Sequence, residues 1–110
     1  MPRRARVIVP GYPNHVVHRG NNRCGVFCDK HDYLVYLDWL RKYSEEALCT
    51  VHAYVLMSNH VHILVSPAFE DGLFRLMKPL AQRYAQHFNT RYKAHRLPLG
   101  RPVSFLVDPV

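Results

Sequence analysis

His60 and His62, with a single valine between them, are the residues of this chain whose types and spacing could do chemistry. They follow the join of two apolar runs, Tyr54-Val55-Leu56-Met57 and Val61-His62-Ile63-Leu64-Val65, which meet at Ser58-Asn59. On a β-strand successive side chains point to opposite faces, so His60 and His62 share one face and Val61, Ile63 and Val65 the other. The two Cα atoms would lie roughly 6.6 Å apart, which lets both imidazoles converge on one divalent metal ion. In a chain with eight histidines such a pair can also arise as plain sheet surface.

The elements that would position this pair can be read from periodicity. Pro10-Gly11-Tyr12-Pro13 is a turn that releases the backbone into a first strand at His15 to Arg19, with His15, Val17 and Arg19 on one face and Val16 and His18 on the other. Gly20-Asn21-Asn22 closes that strand with turn chemistry. Asp29 is a suitable N-cap for a helix from about Lys30 to Leu48, and Asp32 complements the positive end of its dipole. Tyr33, Leu37, Leu40 and Ala47, with Leu34, Tyr36 and Tyr43, recur at helical spacing and predict its core stripe. Trp39 lies off that stripe and is expected to cap the sheet edge. Thr50 to Met57 then forms a hairpin with the His60 strand, and the first strand joins it antiparallel.

A second helix opens at Asp71-Gly72 and runs to about Lys93, with Leu73, Leu76, Met77, Leu80, Tyr84 and Phe88 on one stripe. Pro79 lies inside it, so a kink or restart near Met77 is expected. Pro102 to Val107 is read as a short last strand, with its proline at the sheet edge. The order strand, helix, strand, strand, helix, strand is the split βαβ plan of α+β ferredoxin-like domains, an antiparallel sheet with both helices on one face. Val61, Ile63 and Val65 then face the helices, and His60 and His62 face away.

Composition fits one small domain over residues 1–110, with residues 1–11 as a basic arm. Hydrophobic residues make up 48% of the chain, enough for a core, and the longest apolar runs are far too short to span a membrane. The arm leads into Val7-Ile8-Val9 before Pro10, too little for a signal-peptide core. Fifteen Lys and Arg against eight Asp and Glu give a net charge of +7, which suits a polyanion such as nucleic acid, although charge can also serve solubility alone. Cys24, Cys28 and Cys49 cannot all pair, and reduced thiols in a cytoplasm are expected. Cys24, Cys28 and His31 lack a fourth zinc ligand at a usual spacing.

Met57-Ser58-Asn59-His60-Val61-His62-Ile63-Leu64-Val65 resembles the HUH motif, two histidines around a bulky hydrophobic residue, of single-tyrosine transposases of the insertion-sequence and REP-associated type. Asn14-His15-Val16-Val17-His18-Arg19-Gly20-Asn21-Asn22-Arg23 resembles that family's opening strand and turn, and Phe27 with Asp32-Tyr33-Leu34 its first helix. Leu76-Met77, Tyr84, Phe88-Asn89 and Tyr92 resemble its second helix, and Gly100-Arg101 with Phe105 the segment after it. The likeness covers residues 12 to 108.

The resemblance implies a protein that binds single-stranded or hairpin DNA. It also implies cleavage and rejoining through a divalent metal, Mg²⁺ or Mn²⁺, and a 5′-phosphotyrosine. His60 and His62 would be the metal ligands, and His18, Arg19, Asn21 and Arg23 the DNA contacts beside them. For His18 and Arg19 a plain sheet-surface pair is the other reading. In the family the nucleophilic tyrosine sits on a further helix near a segment of the type Tyr-Ile-x-x-Asn-Pro-Val-x-Ala-Gly. This sequence ends at Asp108-Pro109-Val110, so that helix is expected to be missing from this chain. Tyr84 is the fallback nucleophile, with burial in the core as the competing role, and Tyr92 is no better placed. The alternative function is a non-catalytic single-stranded nucleic-acid-binding domain, and the plainest reading a basic ferredoxin-like domain with core histidines. An uncovered sheet edge and histidine face imply a homodimer.

Overall fold

The computed structural model describes residues 8–19 and 27–91 in full and the backbone of residues 104–109. Its elements run β1 (Asn14–Arg19), α1 (Lys30–Glu46), β2 (Cys49–Leu56), β3 (His60–Pro67), α2 (Gly72–Arg91) and β4 (Ser104–Pro109). The four strands lie in the order β2-β3-β1-β4, every neighbouring pair antiparallel. That is the split βαβ α+β arrangement, with both helices packed on one side of the sheet.

The sheet separates its faces by simple alternation. Val16, Val61, Ile63 and Val65 are fully buried beneath the helices. From the other side they meet Tyr36, Leu40 and Tyr43 of α1 and Leu73, Leu76, Met77, Leu80, Tyr84 and Phe88 of α2. The apolar stripe expected on α2 is buried throughout, whereas on α1 Leu34 proves exposed.

Asp29 caps α1 in a capping box closed by Asp32. The Asp32 carboxylate is fully buried, accepts from the Cys28 and Asp29 backbone N–H groups, and lies 2.9 Å from His87 Nε2 and 3.9 Å from Arg91 Nε on α2. One carboxylate thus ties the start of one helix to the end of the other. Trp39 is not at the sheet edge: it packs edge-on to His87 and beneath the Arg83 guanidinium, so α2 and not the sheet covers it.

Some details differ from the sequence reading. Helix α1 stops at Glu46 because Leu48 adopts a left-handed φ of 58°, and its N–H reaches back to the Glu45 carbonyl in the manner of a helix C-terminus. Strand β4 is Ser104–Pro109, two residues past the expected end at Val107, and Pro102 lies outside the described residues. Helix α2 continues through Pro79 without the restart that is one of the two expectations there. A proline there costs about 3 kcal/mol, and Leu76, Met77, Leu80 and Ala81, all buried around it, provide apolar contact of that order. At the start of α2 a side chain on Gly72 would meet Pro67 Cβ at 2.8 Å, so glycine permits the close approach of α2 to the end of β3.

Candidate metal and nucleic-acid site

The open face of the sheet carries the candidate site. Its tip is the turn between β2 and β3, closed by a Met57 N–H to His60 carbonyl bond of 2.8 Å and held to the domain where Phe27 N–H donates to the Ser58 carbonyl. His60 follows this turn directly and His62 stands two residues on, their rings 6.0 Å apart between centroids. Both lie opposite the helix-facing Val61 and Ile63, as the alternation requires.

Pairing with β1 adds residues to this face. Arg19 is the Cα partner of His60, and Val17 that of His62. Arg19 is exposed, so its charge stands beside the two imidazoles. His15, opposite Leu64, is a diagonal neighbour of His62 and reaches it: His15 Nε2 lies 2.9 Å from His62 Nδ1, with the rings stacked 5.1 Å apart at 13°.

The polar partners of the two histidines leave them open to an ion. His60 Nδ1 lies 2.8 Å from the Asn59 side-chain oxygen and His62 Nδ1 is engaged by His15, so that in each ring Nε2 has no partner among the described residues. Metal ligation needs neutral imidazole. Burial holds the His62 pKa below its ordinary value, and the neighbouring His15 and His60 push it further down. Two imidazoles with free Nε2 atoms, both tied at Nδ1, suit a divalent ion with nitrogen affinity, manganese better than magnesium. Among the described residues no group of three or more His, Cys, Asp or Glu side chains could hold a metal.

The other expected site residues fall elsewhere. His18 is fully buried on the helix side, its Nδ1 2.7 Å from the Tyr36 hydroxyl. This placement corrects its expected role as a phosphate contact beside His60 and His62, since the sheet separates it from that pair. Tyr84 is 2% exposed and packs against Phe27, Tyr36 and Phe88 in the core. It therefore does not point to the histidine face, and the fallback assignment of a nucleophile to it does not fit. Asn21, Arg23 and Tyr92 lie outside the described residues, as does the arm before Ile8.

In fold the chain is similar to the crystal structure of a candidate transposase from Deinococcus radiodurans R1, with a TM-score of 0.69 and 19% identity over 99% of this chain and 86% of that one. It is also similar to a REP-associated tyrosine transposase bound to a REP hairpin, with a TM-score of 0.66 and 13% identity over 100% of this chain and 62% of that one. No curated protein matches the sequence. The family described as "Transposase IS200 like" matches residues 9–105, and with that extent of match the chain belongs to the IS200-like transposase family.

Proposed function

We propose that this chain binds single-stranded or hairpin DNA across the open face of its sheet and there holds a divalent metal, manganese or magnesium, through His60 and His62. The observation that carries this reading is the pair of imidazoles on one face, each tied at Nδ1 with Nε2 left over. The exposed Arg19 beside His60 supplies a phosphate contact, and Asn21 and Arg23, which follow it in sequence, are proposed to extend it. The net charge of +7 and a fold shared with a transposase bound to a REP hairpin support DNA as the partner. Among the described residues no helix is long and apolar enough to cross a membrane.

When bound, the ion would polarise a scissile phosphate and offset charge in the transition state. The chain's own part is to orient the ligands, through Asn59 and the β1–β3 ladder, and to place Arg19 against the DNA backbone. Cleavage and rejoining through a 5′-phosphotyrosine would further require a tyrosine hydroxyl brought to this face, which Tyr84 does not provide. That burial favours a second reading, a non-catalytic nucleic-acid-binding domain, and dependence of DNA binding on the metal separates the two. Association into a homodimer belongs to the same proposal: β2 ends the sheet with Tyr54 and Val55 exposed, Met57 is exposed in the turn after it, and light scattering showing only monomer at high concentration would refute it.

Calorimetry with manganese on the wild type and on the double variant His60→Ala/His62→Ala tests the core of the proposal. Binding is expected in the wild type and not in the variant; equal binding by both would remove the metal assignment.

A further inference from the structure

His60 and His62 meet the protein in parallel ways, but only one of the two contacts is unambiguous about its proton. The Asn59 side-chain oxygen accepts, so His60 carries its proton on Nδ1 and keeps a lone pair on Nε2. Between His62 Nδ1 and His15 Nε2 both atoms are ring nitrogens, 2.9 Å apart, and two neutral imidazoles place one proton between them. If His15 supplies that proton, His62 must carry its own on Nε2 and presents no lone pair outward. If His62 supplies it, His62 Nε2 is a lone pair beside that of His60, and the two rings can act together.

We infer that His15 is a positioning residue of the site, its Nε2 accepting the His62 Nδ1 proton and thereby fixing both the ring orientation and the tautomer that His62 needs to ligate an ion. The inference rests on the metal reading proposed above and deepens it. The contact is built into the sheet: the register sets His15 opposite Leu64 and diagonal to His62, and the near-parallel stacking at 13° leaves the His62 ring little freedom to turn. His15 is not a third ligand in this arrangement, because its Nε2 is spent on His62, consistent with the absence of a three-residue metal group among the described residues. Partners that hold the second nitrogen of a ligating histidine commonly matter 10–100-fold in metal affinity.

The experiment reads the proton directly and the ion separately. Long-range ¹H–¹⁵N spectra of the metal-free 110-residue chain at about pH 8 are expected to show His62 as the Nδ1–H tautomer in the wild type. In His15→Phe, which keeps a stacked ring but removes the acceptor, the Nε2–H tautomer should take over, and manganese affinity by calorimetry should fall about 10–100-fold. In His15→Gln, whose amide oxygen can accept, both should largely recover. A wild-type His62 found as Nε2–H, or a His15→Phe protein with unchanged tautomer or unchanged manganese affinity, overturns the role of His15 while leaving the ligands standing. A wild type that binds no manganese at all overturns the metal reading, and this inference with it.

Discussion

His15 and His18 stand three residues apart on one strand and live in opposite surroundings. On the open face, His15 shares a hydrogen bond with a second imidazole beside an exposed arginine. On the helix face, His18 is sealed beneath α1 and α2, bonded at Nδ1 to Tyr36 and, among the described residues, with no partner for Nε2. The same side chain is thus a chemical group on one side of the sheet and a packing element on the other. Burial alone accounts for the change, since the backbone of β1 is regular throughout.

The largest expected effect sharpening this contrast is at Tyr84. Tyr84→Ala should cost about 3–5 kcal/mol of stability in urea denaturation, as for a large buried aromatic, while Tyr84→Phe should leave unchanged any covalent linkage to labelled single-stranded DNA on a denaturing gel. A shifted band abolished by Tyr84→Phe would return this residue to the chemistry and break the distinction between the faces.

Acid should expose the same division. Burial lowers the His18 pKa from its ordinary 6.5 to about 4, so the unfolded chain takes up a proton before the folded one does. The stability this represents is whole above about pH 6.5 and is lost progressively as pH falls toward 4, by roughly 3 kcal/mol. His18→Phe should flatten that part of the denaturation profile; an unchanged profile would mean that His18 is protonated in the fold.

Adjacent valines give a smaller measure. Val16 is fully buried and Val17, on the open face, only half so. Val16→Ala should cost about 2 kcal/mol and Val17→Ala less than half of that, and equal costs would show that something covers the open face. The smallest stability effect belongs to Arg19→Ala, within about 0.5 kcal/mol, although the salt dependence of DNA affinity should lose about one unit of slope.

Alternation and helical periodicity sufficed for the element order, the sheet plan and the buried stripe of α2, because each rests on local spacing that tertiary structure did not override. The strand parity that placed His60 and His62 on the open face also placed His18 on the opposite one from Arg19, so assigning both neighbours to a phosphate contact ran against the pleat. The His15–His62 contact was not legible, because parity gives a face but not which strand lies alongside or in what register. Only the β1–β3 pairing makes those residues diagonal neighbours. An unbroken α2 through Pro79 was equally hidden, since the burial that offsets a lost hydrogen bond is a property of the packed sheet and helices.

The place of β1 between β3 and β4 also fixes an order of assembly. His60 and His62 belong to a hairpin whose strands are joined by a turn of a few residues, whereas His15 reaches them only when β1 pairs with β3 across more than forty residues of chain. Local pairs close earlier than distant ones, since closing a long loop carries the larger entropic cost. During refolding the His60 and His62 imidazoles should therefore be side by side before the strand that carries His15 arrives, and pulsed hydrogen exchange should protect the β2–β3 amides ahead of those of β1.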